Sequence, residues 1–201
     1  MAGRLRIFIS AGPDLEIERE VVGKAIATLP VSLGWVIKYT PIRGEPSDPA
    51  SSAVKLCDFY ALLLGSDITA PVGSELYTAK QTSKTIAAFL KECPRTSAAR
   101  VFVKQSAVKW KTFSNEESLR SLLQKSIVDQ ILKRPEAYGM TIADWEALSA
   151  LAVELLTEEA SRQHEAISPL HGGAGSDAVI VSPLRDLPSG GVPIEREHNS
   201  S

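Results

Sequence analysis

Hydrophobic and polar positions follow two different periods along the first hundred residues. Short runs of β-branched, aromatic and aliphatic residues, most of them closed by glycine or proline, predict five strands. These runs cover residues 5–10, 35–40, 59–64, 85–90 and 100–103, the last extending towards Trp110. Between them, apolar residues recur at helical spacing over 15–29, in one turn over 53–57, and over 73–83. The pattern therefore alternates strands with helix-length segments.

This alternation has a direct topological meaning. Residues 59–64 read Phe-Tyr-Ala-Leu-Leu-Leu, a run without polar positions that is typical of a parallel strand covered on both faces. Strands joined by helical crossovers form right-handed β-α-β units, and successive units build a doubly wound sheet. We expect an α/β fold of the flavodoxin-like or TIR-like class, with a mainly parallel five-stranded sheet.

From Asn115 onwards the helical period is continuous. Apolar spacing predicts one helix over 119–131, and Thr141 with Asp144 forms a capping-box pattern that starts a second. We expect the pair to pack on the sheet or against each other as a hairpin. After residue 166 the chain is rich in proline and glycine, which predicts a flexible tail. The predicted organisation is an α/β domain over 1–112, an appended helical hairpin over 113–166 and a tail over 167–201.

Composition and missing motifs narrow the functional class. With 22 Lys+Arg against 24 Asp+Glu, the net charge of −2 provides no basic field of the kind that drives nucleic-acid binding. No apolar run approaches the roughly 18–20 residues of a membrane span, and the N-terminal residues show no signal-peptide pattern. The two cysteines lack metal-ligand spacing, and no Gly-x-Gly-x-x-Gly or Walker motif is present. We expect a cytoplasmic protein with no metal and no nucleic-acid or membrane partner.

Two loops are the candidate ligand site, because doubly wound sheets bind ligands beyond the carboxyl ends of their strands. Glycines there leave room for a ligand against the backbone, although they also serve simply to end strands. Asp14 is in addition the expected N-cap of the first helix. The candidate ligand-binding residues are Ser10, Ala11, Gly12 and Asp14 after the first strand, and Gly65, Ser66, Asp67, Gly73 and Ser74 after the third.

Glu75 is the candidate catalytic carboxylate. If the helix begins at Gly73, Glu75 lies in its first turn, where the helix dipole favours a negative charge, and at the margin of the apolar side set by Leu76 and Ala79. An ionised glutamate facing the cleft stabilises or attacks the oxocarbenium-like centre formed when an N-glycosidic bond breaks. The alternative is a helix-start glutamate that only improves capping.

Glu18 and Arg19 flank the apolar stripe of the first helix. Charges at such positions pair, because an unpaired buried charge costs several kcal/mol. We expect a structural ion pair that includes Glu18 and Arg19 and locks the helix to the sheet. The alternative is that the two residues position the loops of the cleft.

Several of these residues resemble a known family. Phe8-Ile9-Ser10, then Asp14-Leu15 and Glu18-Arg19, resemble the "FISS…DL…ER" opening of a bacterial TIR-like domain family of unknown function. The later block is similar to TIR domains and nucleoside deoxyribosyltransferases, and the likeness spans roughly residues 4–104. It comprises Cys57-Asp58-Phe59 to Leu64-Gly65, Gly73-Ser74-Glu75-Leu76, Ala79 and Lys84-Thr85-Ile86.

The resemblance implies a role for several positions. A helix-start glutamate serves glycosidic chemistry in the related enzymes, which implies that Glu75 is catalytic and that Ser10 and Gly12 line the ligand site. Two departures stand against catalysis. Catalytic TIR domains usually carry a cysteine shortly before the glutamate, where residues 71–74 here are Pro-Val-Gly-Ser, and deoxyribosyltransferases carry an aspartate near the glycine, where the nearest is Asp67.

Three functions follow from these expectations. The first is cleavage of NAD or a related nucleotide in bacterial signalling or defence, with the nucleotide as substrate and no separate cofactor. The second is a non-catalytic module that works by protein–protein interaction, through self-association or with a partner effector subunit. The third is a nucleotide sensor in which binding reorganises the C-terminal helices.

Overall fold

The computed structural model describes residues 4–31, 33–41 and 50–167 of the 201-residue chain, and the side chains of these ranges as far as residue 159. Strands within these ranges are β1 (Leu5–Ala11), β2 (Trp35–Tyr39), β3 (Phe59–Leu64), β4 (Ile86–Lys91) and β5 (Trp110–Phe113). The helices there are α1 (Glu16–Ala27), α2 (Ala50–Leu56), α3 (Ala70–Gln81), α4 (Ser97–Gln105), α5 (Glu116–Leu132) and α6 (Ile142–Ile167). Two 3₁₀ turns, Pro13–Leu15 and Pro135–Tyr138, precede α1 and follow α5.

The strands form one parallel sheet in the order β2-β1-β3-β4-β5. This is the flavodoxin-like order of a doubly wound fold, in which the topological switch point lies between β1 and β3. Register places Ile7 beside Phe59 and Ser10 beside Leu62, so the ends of β1 and β3 meet at one edge of the sheet. The predicted fold class is confirmed.

The alternating side chains of the strands supply two separate cores. On one face, Ile7 and Ile9 of β1 pack with α1 and α5. On the other face, Phe8 of β1 and Leu62 of β3 pack with α2 and α3. Because successive strand residues point to opposite faces, both layers are built from the same short apolar strands.

The fifth predicted strand was wrong. Residues 97–105 form α4, and the sheet takes its last strand from Trp110–Phe113. The Thr96 side chain accepts a hydrogen bond from the Ala99 amide at 3.2 Å and caps the helix. Phe102 then packs edge-on against Trp110, with ring centroids 6.4 Å apart. Local capping and this tertiary contact outweigh the β-propensity of Val101-Phe102-Val103.

The predicted boundary between residues 112 and 113 does not separate two bodies. The described residues up to Ala166 belong to one compact unit, and the predicted tail falls outside the described residues except for Ile167. Helix α5 belongs to a helical layer of the α/β domain rather than to an appendage, because Leu119, Leu123 and Ile127 are completely buried in the core shared with α1.

The predicted capping box at the start of α6 is confirmed. The Asp144 amide donates to Thr141 Oγ1 at 3.2 Å, and the Thr141 amide donates to Asp144 Oδ2 at 3.0 Å.

No helix among the described residues is long and apolar enough to cross a membrane.

Candidate functional site

Three polar side chains meet at the carboxyl ends of β1 and β2. The Glu75 Oε2 atom accepts hydrogen bonds from Ser10 Oγ at 2.5 Å and from Thr40 Oγ1 at 2.8 Å. Thr40 in turn accepts a hydrogen bond from the Ala11 amide at 3.1 Å. Ser10 lies in β1, Thr40 directly follows β2, and Glu75 reaches them from α3. The fold therefore brings the predicted carboxylate and Ser10 together and adds Thr40.

Glu75 is more deeply buried in the structure than the sequence predicts. Helix α3 begins at Ala70, so Glu75 is its sixth residue and lies on the buried face with Val72, Leu76 and Ala79, not in the first turn. The residue is 3% exposed, and its Oε1 atom has no hydrogen-bond partner among the described residues. Burial raises the pKa of the Glu75 carboxyl, while the Ser10 and Thr40 hydroxyls and the Arg19 charge act to lower it.

Tyr60 is a second unsatisfied polar group beside this cluster. It is completely buried in β3 and stacks on Phe8, with ring centroids 6.0 Å apart. Ser10 is near enough to lower the pKa of the Tyr60 phenol, but the Tyr60 hydroxyl forms no hydrogen bond of normal geometry with a described residue. Burial raises the pKa of Tyr60, so the phenol is neutral and is available as a donor.

An open cleft lies at the same end of the sheet, and Thr40 lines it whereas Ser10 and Glu75 do not. Its volume is about 720 Å³, within the range of small-molecule sites. Four of its described lining residues are apolar, and Thr40 and Arg19 connect it to the buried carboxylate, since both line the cleft and both act on Glu75. Lining residues among those described are Ala11, Pro13, Glu16, Arg19, Thr40, Pro41, Thr69 and Pro71.

Glu18 and Arg19 do not bind each other. Glu18 forms an ion pair with Lys91 of β4, with 2.5 Å between Oε1 and Nζ, so it ties α1 to the sheet. Arg19 instead donates through one nitrogen to the carbonyl oxygens of Ala11 at 2.5 Å and Gly12 at 3.3 Å. The two expected roles are therefore divided. One residue locks the helix, and the other positions the loop and supplies positive charge to the cleft wall.

The Asp14 carboxylate lies at the switch point between β1 and β3. Its Oδ2 atom accepts hydrogen bonds from the amide and the hydroxyl of Ser66, both at 2.8 Å. A Cβ atom on Gly12 would lie 2.6 Å from Asp14 Oδ1, and one on Gly65 would overlap Asp14 Oδ2. These glycines make room for the chain's own carboxylate, not for a ligand. Asp14 does not act as the N-cap of α1, because it is held across the sheet edge.

Of the nine residues predicted to bind a ligand, Ala11 lines the cleft and the other eight do not. Asp67 accepts hydrogen bonds from Thr96 Oγ1 at 2.6 Å and the Ile68 amide at 2.8 Å, which hold its pKa below the usual range and tie the loop after β3 to the start of α4. Gly73 lies within α3, and Ser74 points outward from that helix.

Thr40 and Tyr60 are the residues that sequence reasoning missed. Thr40 carried a signal, because it follows β2 directly and the carboxyl ends of parallel strands share one edge. Tyr60 carried none, because an aromatic residue in an apolar strand is ordinarily a core residue. Among the described residues, no cluster of three or more His, Cys, Asp or Glu side chains is arranged to hold a metal ion.

Comparisons with known proteins add little to this geometry. No protein-family model and no curated protein sequence matches the chain. Among solved structures, the chain is similar to CapF, crystallised with the inhibitor 3-isopropenyl-tropolone, at 14% identity and a TM-score of 0.35. The match covers 54% of this chain and only 29% of that one. A likeness at this level carries no argument about function.

Proposed function

We propose that this protein binds a nucleotide or nucleoside in the cleft above β1 and β2 and cleaves its N-glycosidic bond, with Glu75 as the catalytic carboxylate. The observation that carries the proposal is the pairing of a buried carboxylate with a cleft at the carboxyl end of a doubly wound sheet. The resemblance to TIR domains and deoxyribosyltransferases supports the same chemistry.

The hydrogen bonds around Glu75 favour a single orientation of its carboxylate. Ser10 and Thr40 both donate to Oε2, which leaves Oε1 without a protein partner. An unpaired carboxylate oxygen in a buried site is costly unless a ligand engages it. A developing positive charge at the ribose C1′ atom would be stabilised by such an oxygen far more strongly than in water.

In the reaction, the bond between ribose C1′ and the base nitrogen breaks, and its electron pair leaves with the base. Glu75 stabilises the oxocarbenium-like centre, and water supplies the hydroxyl that C1′ gains and a proton that passes to the base or to solvent. The apolar residues Pro13, Pro41 and Pro71 line the cleft, and their rings can pack against the flat face of a base or against a sugar.

The test is product analysis by liquid chromatography after incubation with NAD and a panel of nucleosides. We expect free base with the wild-type protein and a rate lower by at least about 10²-fold for Glu75→Gln. Ser74→Ala is the matched control on the same helix, because Ser74 points outward. Full activity in Glu75→Gln rejects the catalytic assignment.

A second candidate is assembly through the sheet edge. Strand β2 is an edge strand, and its side chains Trp35, Val36 and Tyr39 are 43%, 37% and 40% exposed. An edge with exposed apolar residues is a template for pairing with another chain. This observation favours the non-catalytic interaction module, acting by self-association or with a partner subunit.

Light scattering on a sizing column separates this candidate from the first. If the edge mediates self-association, Trp35→Lys reduces the mass to that of one chain, and Tyr77→Lys, at an exposed tyrosine of α3, does not. A wild-type protein that is monomeric at every concentration rejects self-association through β2.

A further inference from the structure

A second cavity lies at the opposite, amino-terminal end of the sheet. It has a volume of about 240 Å³ and lies beside the segments that lead into β3 and β4 and the C-terminal end of α5. The lining residues that matter are Asp58, Lys84, Gln130, Lys133, Arg134 and Tyr138. This volume is large enough for a small anion together with several water molecules. We call it the amino-end cavity.

The end of α3 builds one wall of this cavity. The Ser83 amide donates to the Lys80 carbonyl, and the Lys84 amide donates to the Ala79 carbonyl at 2.9 Å, which is a Schellman motif. Ser83 occupies its left-handed position at φ 50°. The turn directs Lys84 towards β3, where its Nζ donates to the Cys57 carbonyl at 2.9 Å.

The cavity is positively charged. Among the described residues that line it, Lys84, Lys133 and Arg134 are cationic, and Asp58 is the acidic one. Asp58 is already engaged, because its Oδ2 atom accepts hydrogen bonds from the amide and the Nε of Arg6 at 2.9 and 3.4 Å. Three cations facing a neutralised carboxylate favour an anion.

Gln130 adds a second and independent feature. It is 8% exposed, and its Nε2 donates to the Asp58 carbonyl at 3.3 Å, an interaction that fixes the orientation of the amide. Its Oε1 atom is buried and accepts no hydrogen bond among the described residues, although Tyr138 is close enough for Gln130 to act on its pKa. The cavity therefore presents a lone acceptor among cations.

We propose that the amino-end cavity binds a protonated oxyanion: inorganic phosphate or a small phosphate monoester. The cations would bind the charged oxygens, and Gln130 Oε1 would accept a hydrogen bond from the P–OH group. Burial raises the pKa of Tyr138, so the phenol contributes no negative charge to oppose the ligand. This site is separate from the cleft at Glu75, and neither proposal depends on the other.

Calorimetric titration of the full chain with potassium phosphate and potassium sulfate, at equal ionic strength and pH 6, tests the proposal. Sulfate resembles phosphate in size and tetrahedral shape, but at this pH it carries two negative charges and no proton, whereas phosphate is mainly the protonated monoanion, so charge alone would favour sulfate. We expect phosphate to bind about tenfold more tightly, the effect of one net hydrogen bond. Glycerol phosphate separates the two sources. Tighter binding than phosphate identifies a monoester site, and equal or weaker binding identifies a phosphate site.

Substitutions in the amino-end cavity test whether the anion binds there. Gln130→Met removes the acceptor, and we expect it to abolish the preference for phosphate over sulfate. Lys133→Ala with Arg134→Ala changes two exposed residues, and we expect it to weaken both anions at least tenfold. Arg100→Ala with Lys104→Ala is the control on α4, with the same change of net charge.

Tyr138→Phe keeps the ring, and we expect it to retain phosphate binding because the ligand, not Tyr138, satisfies Gln130. Equal affinity for phosphate and sulfate, no phosphate binding at all, or unchanged binding in the Lys133/Arg134 variant each overturns the proposal. None of these three results depends on whether Gln130→Met folds.

Discussion

Replacing Gly65 with alanine tests what the space beside that glycine contains. A Cβ atom there would overlap Asp14 Oδ2 and would lie 3.1 Å from Leu15 Cδ2. The carboxylate must then leave Ser66, which donates two hydrogen bonds to it at 2.8 Å. At about 0.5–1.5 kcal/mol for each bond, this displacement costs about 1–3 kcal/mol. The contact with Leu15 adds roughly 1 kcal/mol.

The same substitution has a different effect once Asp14 is shortened. Asp14→Ala removes the overlapping oxygen and by itself costs the same 1–3 kcal/mol. In that background the nearest neighbour that remains for the Gly65→Ala methyl group is Leu15, and the loss of backbone freedom in the unfolded chain returns about 0.4–1 kcal/mol. We therefore expect Gly65→Ala to be nearly neutral there, with a coupling energy of about 1–3 kcal/mol between the two sites.

Urea unfolding of the wild type, both single variants and the double variant measures this coupling. Effects that add within about 0.5 kcal/mol would refute the reasoning, because the glycine would then not be making room for Asp14. A stabilising Gly65→Ala in the wild-type background would refute it as well.

Three further predictions concern single positions. Ser83→Gly and Ala107→Gly relieve left-handed backbone at φ 50° and 46°, and we expect each to stabilise the protein by about 1 kcal/mol in urea unfolding. Burial raises the pKa of the Cys57 thiol to about 11, so at pH 8 a thiol reagent modifies Cys93 readily and Cys57 only after denaturation. Because the folded-state pKa of Glu75 is raised, its protonated form stabilises the fold, and we expect the wild type to lose stability relative to Glu75→Gln as pH rises above the ordinary glutamate pKa of about 4.5.

Four of the five strands could be predicted because each of them has a local signal. Residues 59–64 are apolar at every position, and only a doubly covered parallel strand accommodates such a run. The last strand could not be predicted, because Trp110–Phe113 is four residues long and is stabilised by pairing with β4. Pairing of this kind depends on distant residues and leaves no period in the sequence.

The identity of the central carboxylate could be predicted, but its depth could not. A helix that begins at Gly73, as the sequence predicts, would have Glu75 in its first turn. The observed start at Ala70 brings Val72 onto the same face as Glu75, three residues apart, and so buries the glutamate. The hydroxyl partners Ser10 and Thr40 come from two strands, 65 and 35 residues away along the chain. Contacts between such distant residues follow from topology rather than from spacing.

The loop residues show a similar limit. The sequence predicts that Gly12, Gly65 and Asp14 bind a ligand, since glycine-rich loops at strand ends commonly do. In the folded protein they serve one another, because the carboxylate fills the space that the glycines leave. Sequence alone does not distinguish a glycine that admits a ligand from one that admits a neighbouring side chain.

The most direct test of the central claim is the rate at which free base is released from a saturating nucleoside or NAD by the wild type and by Glu75→Gln, measured on preparations with the same folded fraction. We predict release by the wild type and a decrease of about 10²–10⁴-fold on removal of the carboxylate charge, with ligand binding retained. Equal rates for the two proteins, or no release by a wild type that is shown to bind no nucleotide, would contradict the assignment of the cleft and of Glu75.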